Sequence, residues 1–104
     1  MSILQGTTPK LEITIPEEFP VSTITEIELT FAHKDAKRMI GLAGVVVNSE
    51  ANTITYSFTE TETLALDPKY PLWWQLRVQV PAGIVGTEKK RVSVLDLMSE
   101  EQMT

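Results

Sequence analysis

Strict alternation of apolar and polar residues recurs along this chain and restricts it to folds rich in β-strands. It is seen in KLEITI at residues 10–15, TEIELTF at 25–31 and TITYSFT at 53–59. Successive side chains of a strand point to opposite faces of a sheet, so each stretch predicts a strand with one buried and one exposed face. In TEIELTF the buried face would carry Ile27, Leu29 and Phe31.

Two other parts of the chain predict strands from less regular patterns. Residues 39–47, MIGLAGVVV, are apolar but interrupted by glycines, which are typical of bulges and tight bends. We expect two short strands here, near residues 38–42 and 44–48. The last strand is predicted within GTEKKRVSVLDL, residues 86–97, with Val92 and Val94 buried, and the preceding PAGIVG is predicted to be a turn.

One short helical turn is predicted after TITYSFT. Thr59 and Glu62 have the spacing of a capping box, in which each side chain hydrogen-bonds to the other residue's backbone N–H. Glu60 and Glu62 are therefore interpreted as solvent-exposed residues of this turn. A pair of glycosidase carboxylates would need one raised pKa, and nothing in the neighbouring sequence provides it.

Trp73 and Trp74 are adjacent in WWQLRVQV, residues 73–80, which predicts the sixth strand. One core cannot enclose both rings, because neighbouring strand residues point to opposite faces. Trp74 is predicted to be buried, since the residues that share its face are apolar: Leu76, Val78 and Val80.

Trp73 shares the opposite face with Gln75 and Arg77. Aromatic residues and arginine are enriched in protein interfaces, so these three residues are candidate contact residues. The alternative is that the chain covers the ring itself, through the DPKYP loop, the N-terminal residues or a bulge. The sequence leaves both interpretations open.

Seven short strands, one helical turn and turn signals about every ten residues predict an all-β fold, an antiparallel immunoglobulin-like β-sandwich. We assign residues 10–96 to this domain, 1–9 to an N-terminal arm and 97–104 to a flexible C-terminal tail. The domain lacks the cysteine pair of antibody domains.

The charge balance argues against polyanionic partners. The chain has 9 basic and 14 acidic residues and a net charge of −5, which weakens attraction to nucleic acids and anionic membranes. We expect neither as a partner. MSILQGTTPK has no apolar core of signal-peptide length, and no apolar run approaches the roughly 20 residues of a membrane span.

The chain offers no pattern of catalytic, metal-ligating or cofactor-binding residues. His33 is the only histidine, cysteine is absent, and GIVG at residues 83–86 lacks the spacing of a phosphate-binding loop. We therefore expect no enzyme activity, no cofactor, no metal and no small-molecule substrate.

Four stretches, in their joint order, resemble a family of phage proteins: GTTPKLEITI at residues 6–15, IELTF at 27–31, YSFTETETLAL at 56–66 and WWQLRVQV at 73–80, followed by a glycine-containing turn and a valine-rich strand. The chain resembles small tail-region proteins of phages and prophages, and the N-terminal domain of phage baseplate upper proteins. It departs from that pattern in AHKDAKRMIGLAG, residues 32–44, and in the double tryptophan.

The resemblance implies a structural protein of a phage tail or baseplate, with an immunoglobulin-like fold. It would be made in the bacterial cytoplasm and located in the virion. Its partners would be other tail or baseplate proteins, or copies of itself. Such particles use arms, strand edges and exposed aromatic residues as contacts, and the candidates here are Thr7, Thr8 and Pro9, then Trp73 with Gln75 and Arg77, then the tail from residue 96.

An alternative function is a carbohydrate-binding or adhesive module. Trp73 and Tyr70 would then form an aromatic platform on which a sugar ring stacks.

Overall fold

The computed structural model describes residues 2–96, and this part of the chain is mostly β-structure. It contains nine strands, one short α-helix and two 3-10 turns. The strands are β1 Ser2–Leu4, β2 Lys10–Thr14, β3 Glu26–His33, β4 Ala36–Ile40, β5 Val46–Asn48, β6 Thr53–Ser57, β7 Leu72–Val80, β8 Gly83–Gly86 and β9 Lys90–Leu95. The helix α1 is Glu60–Leu64, and the 3-10 turns are Val21–Thr23 and Leu42–Gly44.

The strands form two sheets that pack around one core. The larger sheet has the order β1-β9-β7-β3-β4, and β8 also pairs with β7; the smaller sheet has the order β2-β6-β5. β8 and β9 share one edge of β7, since β8 pairs with residues 77–80 and β9 with residues 72–74. The predicted all-β class is confirmed. The prediction of purely antiparallel pairing is wrong at one place, because β1 and β9 run parallel.

The alternating stretches form strands because their apolar faces pack between the sheets. In β3 the odd-numbered residues Ile27, Leu29 and Phe31 are buried, as their spacing predicts. The largest fully buried hydrophobic side chains come from both sheets: Ile3, Leu29, Ile54, Leu76 and Val92. Each such side chain contributes roughly 1.5–3 kcal/mol through its removal from water.

Two strands of the structure lie outside the seven predicted ones. Residues 83–86, predicted as part of a turn, form β8 and make an antiparallel hairpin with β7. Residues 2–4, assigned to an N-terminal arm, form β1, and Ile3 is fully buried opposite Val94. The predicted tail, residues 97–104, lies outside the described residues.

The two short strands predicted around the glycines of residues 39–47 are present, but in different sheets. β4 is an edge of the larger sheet and β5 an edge of the smaller one. The chain crosses between the sheets through the 3-10 turn Leu42–Gly44, which separates the two strands. The glycines therefore mark a change of sheet.

The capping box at the start of α1 is confirmed. The Thr59 hydroxyl accepts a hydrogen bond from the Glu62 N–H at 3.2 Å, and the Thr59 N–H donates to the Glu62 carboxylate at 2.8 Å. The predicted exposure of the two glutamates is wrong. Glu60 is only 9% exposed and Glu62 is half-buried, because the short helix lies against the end of the core.

Candidate functional site

The outward-facing side of the larger sheet, called here the outer face, carries most of the large apolar side chains that the described residues expose. Strand parity and register place four of them there: Leu4, Met39, Ile84 and Leu95. Met39 and Ile84 are 64% and 67% exposed. The outward side of the smaller sheet, in contrast, presents one such residue, Val46, amid hydroxyl and charged residues.

Trp73, Gln75 and Arg77 lie together on the outer face, as their alternation predicts. Trp73 is paired with Ala32 of β3 on one side and with Arg91 of β9 on the other. Its ring is half-buried, and the Lys89 ammonium lies 5.1 Å from the ring centroid. A lysine side chain thus lies over this ring.

Trp74 points to the other side of β7 and packs against the core, as predicted, but it is not fully buried. It lies near the beginning of β7, where its partner on β9 is the exposed Lys90. The core side of the sheet is therefore partly open to solvent at this end.

An ion pair lies in the middle of the outer face. Arg77 donates to both carboxylate oxygens of Glu28, its cross-strand partner, at 2.8 Å. The hydrogen bonds with Glu28 raise the pKa of the Arg77 guanidinium. Gln75 is held by a hydrogen bond from its amide to the Thr87 carbonyl at 3.1 Å. Glu28, Gln75 and Arg77 thus each have a hydrogen-bond partner.

A groove of about 340 Å³ runs over this ion pair. Met39, Leu42 and Ile84 are among the residues that line it, together with Glu28 and Arg77. Protein contact surfaces combine solvent-exposed apolar side chains, which are desolvated on binding, with polar groups that are already hydrogen-bonded. The groove has both.

Charges of opposite sign lie at the two ends of the outer face. At one end the register places Lys37, Ala32, Trp73 and Arg91 side by side across four strands. Lys89 adds a third cation there. At the other end the same face carries Glu26, opposite Gln79, which is opposite Ile84. The face is therefore basic at the Trp73 end and acidic at the Glu26 end.

Thr7, Thr8 and Pro9 do not lie with the other three candidate residues. The Thr63 hydroxyl of α1 donates to the Thr7 carbonyl at 2.8 Å, and the Phe58 N–H donates to the Pro9 carbonyl at 2.9 Å. These contacts fasten the connection between β1 and β2 onto α1 and the end of β6. The carbonyl groups of Thr7 and Pro9 therefore have a structural role within the domain. Of the three candidate residues only Thr8 is exposed.

A second cavity, of about 280 Å³, opens between β4 and α1. Beside it the Tyr56 hydroxyl donates to the Glu62 carboxylate at 2.6 Å, and Arg38 of β4 contacts both groups. Burial, together with the hydrogen bond to Glu62, raises the pKa of Tyr56 to about 12. Burial alone would raise the pKa of Glu62, but hydrogen bonds from Tyr56, Thr59 and Arg38 lower it overall. The cluster joins the two sheets.

His33 also has a structural role. Its Nε2 accepts a hydrogen bond from the Asp67 N–H at 3.1 Å, and Asp67 pairs with Lys34 at 2.8 Å. The hydrogen bond from Lys34 lowers the pKa of the Asp67 carboxyl. Within residues 2–96 no group of three or more potential ligand side chains is arranged to hold a metal ion. No helix in this range is long and apolar enough to cross a membrane.

The sequence reasoning missed Met39, Leu42 and Ile84 as surface residues. Ile84 falls in a segment predicted to be a turn, so its side chain was not assigned to either face of a sheet. Met39 and Leu42 fall in an apolar stretch interrupted by glycines, where no alternation indicates which side chains point outward.

Comparison with known proteins gave no match, either among protein-family models or among curated sequences.

Proposed function

We propose that this chain is a non-enzymatic structural component of a phage or prophage tail or baseplate, with an immunoglobulin-like sandwich that acts through protein–protein contacts. It would function as part of the phage particle. The outer face of the larger sheet is the contact surface.

The observation that supports this function most is a groove over an ion pair, lined by three exposed apolar side chains, Met39, Leu42 and Ile84, on a face that also exposes Leu4 and Leu95. Apolar residues exposed singly are ordinary in monomeric proteins, whereas a group of them on one face marks an interaction site. The order of motifs that resembles phage tail-region proteins adds the class of particle.

The carbohydrate-binding alternative has less support, because Trp73 and Tyr70 do not share a platform. Trp73 lies on the outer face under Lys89. The Tyr70 ring packs edge-on against His33, which has the parity of the buried β3 residues. Sugar stacking requires an open ring face, and here each ring has a lysine ammonium about 5.1 Å from its centroid.

Co-assembly tests the proposal. The chain would be expressed with the tail and baseplate proteins encoded beside its gene, and complexes would be isolated through a tag on one of them. We expect co-purification of the wild type and its loss in Met39→Glu and in Ile84→Glu, because each places a charge in the contact. Val46→Glu is the matched control, since Val46 is 65% exposed on the other sheet.

Two results would contradict the proposal. One is the absence of any co-assembly of the wild-type chain with these proteins or with itself. The other is equal co-assembly of all three variants, which would remove the outer face from the contact.

A further inference from the structure

We propose that the outer face binds a second copy of this chain, in a two-fold arrangement in which the facing strands run in opposite directions. This inference rests on the proposed function, because it uses the same surface and names the first partner of that surface.

The distribution of charge identifies the partner. The face is basic at one end, with Lys37, Lys89 and Arg91, and acidic at the other, with Glu26. A surface that carries both signs at separated ends is complementary to itself once it is turned around. A two-fold interface uses the same patch on both partners, so each contact made at one end is repeated at the other.

The direction of the two-fold axis follows from the same charges. Residues paired across neighbouring strands form rows on the outer face, and the row of Lys37, Ala32, Trp73 and Arg91 is the basic one. An axis parallel to the strands would place this basic row of one copy over the same row of the other, which costs energy through like-charge repulsion. An axis in the interface and perpendicular to the strands reverses the order of the rows. Lys37 of one copy then lies beside Glu26 of the other, which is on the neighbouring strand, and Arg91 lies over Ile84 at the same end.

This arrangement also covers the apolar side chains. Reversal of the rows brings Met39 of one copy over Gly41 and Leu42 of the other, where the groove is open and the glycine has no side chain. Trp73 comes over the row that contains Gln79 and Ile84. Two sheets packed face to face at a small angle commonly bury such side chains between them.

The outer face has four such rows, those of Trp73, Gln75, Arg77 and Gln79. The ion pair between Glu28 and Arg77 lies in the third, and in the reversed arrangement it faces Gln75 and Thr30 of the other copy. Both charges are already neutralised within one chain. The middle of the interface therefore buries no unpaired charge, which is the usual energetic obstacle to a polar contact.

A charge exchange tests the inference. Self-association would be measured by sedimentation equilibrium for the wild type, Glu26→Lys, Lys37→Glu and the double variant. We expect each single variant to raise the dimer Kd about tenfold or more, since the interface contains each charge pair twice. The double variant should recover most of the wild-type affinity. Higher salt should weaken the wild-type dimer.

Glu12→Lys is the matched control, because Glu12 is an exposed glutamate on the outward side of the smaller sheet and the change in charge is the same. Its Kd should equal that of the wild type. A similar loss in Glu12→Lys and Glu26→Lys would show an effect of net charge alone and would overturn the inference.

Failure of the inference is distinguishable from failure of the proposed function. A wild-type chain that stays monomeric, while Met39→Glu still abolishes co-assembly with a tail protein, overturns the self-association and leaves the proposed function standing. A dimer that is insensitive to Met39→Glu and to the charge variants overturns the inference, because another surface then forms the dimer. A monomer with no co-assembly partner overturns both.

Discussion

Tyr56 of the smaller sheet contacts two side chains of the larger sheet, Arg38 and Phe31. Its hydroxyl donates to Glu62 at 2.6 Å and lies in contact with Arg38, which belongs to an edge of the other sheet. The ring also packs against Phe31 and Phe58 at centroid distances of 5.2 and 5.0 Å. Tyr56 therefore combines a buried aromatic contact with a polar one at the open end of the core.

Tyr56→Phe should destabilise the protein by about 1–2 kcal/mol at pH 7, because it removes a hydrogen bond to a charged and half-buried partner. The raised pKa of Tyr56, about 12, means that the folded state favours the neutral phenol. That preference is fully present below the unfolded pKa of about 10 and is lost as the pH rises from there through about 12.

Denaturant unfolding of both proteins from pH 7 to pH 12 measures this effect. The stability advantage of the wild type over Tyr56→Phe should shrink as the pH rises above about 10, because the folded state holds the phenol proton more tightly than the unfolded chain does. Tyr70→Phe is the control, because Tyr70 is half exposed. An advantage that does not change with pH would contradict the assigned role of Tyr56.

The faces of Trp73 and Trp74 could be predicted from residues alone, while their surroundings could not. Alternation along one strand is local information, and it correctly puts Trp73 with Gln75 and Arg77. Lys89 comes over the Trp73 ring only because β9 pairs with the beginning of β7. The contact between Arg38 and Tyr56 likewise depends on how two sheets pack, and no sequence pattern joins residues 38 and 56.

At the scale of elements, β8 depends on one backbone conformation. Gly83, its first residue, has φ of +135°, a region that residues with a side chain rarely adopt. A Cβ added there would meet no atom within 4 Å, so the obstacle to a larger residue is backbone strain and not lack of space.

Gly83→Ala should therefore destabilise the protein by about 1–3 kcal/mol. Gly41→Ala is the matched control, since Gly41 has φ of −92° and room for a methyl group, and it should change stability by less than about 0.5 kcal/mol. The two midpoints of urea denaturation measure the difference. Equal midpoints would mean that β8 relaxes without cost.

The strand β1 should contribute more to stability than its three residues suggest. Ile3 is fully buried, while its neighbour Leu4 is 39% exposed on the outer face. Ile3→Ala should cost about 2–4 kcal/mol through lost burial and the cavity it leaves, and Leu4→Ala less than about 1 kcal/mol. Thermal and urea unfolding of the two variants compare them directly, and similar losses would contradict the burial of β1.

β1 and β8 are the elements that sequence patterns could not reveal. A strand of three residues is too short to show alternation, and the pairing of β1 with β9 joins segments about 90 residues apart. PAGIVG contains proline and glycine, which favour turns, although four of its residues form a strand edge. The long alternating strands and the capping box, whose signals are local, were predicted correctly.

For the whole molecule, the sheet order predicts how protection against hydrogen exchange is distributed. β3 and β7 are the strands of the larger sheet with neighbours on both sides along most of their length, whereas β4 and β5 are sheet edges. Amides of β3 and β7 should exchange slowest, and those of the edge strands, β4 and β5 among them, should exchange faster. Exchange followed by mass spectrometry measures this order, and early exchange in β7 would contradict the topology.

The parallel pairing of β1 with β9 has a consequence for folding during synthesis. Among the described strands β1 is made first on the ribosome and β9 last, so Ile3 has no partner strand until the other described strands have emerged. Closure of so long a loop is entropically unfavourable and slows folding. The segment that completes one side of the core is thus the one that must wait longest for its partner strand.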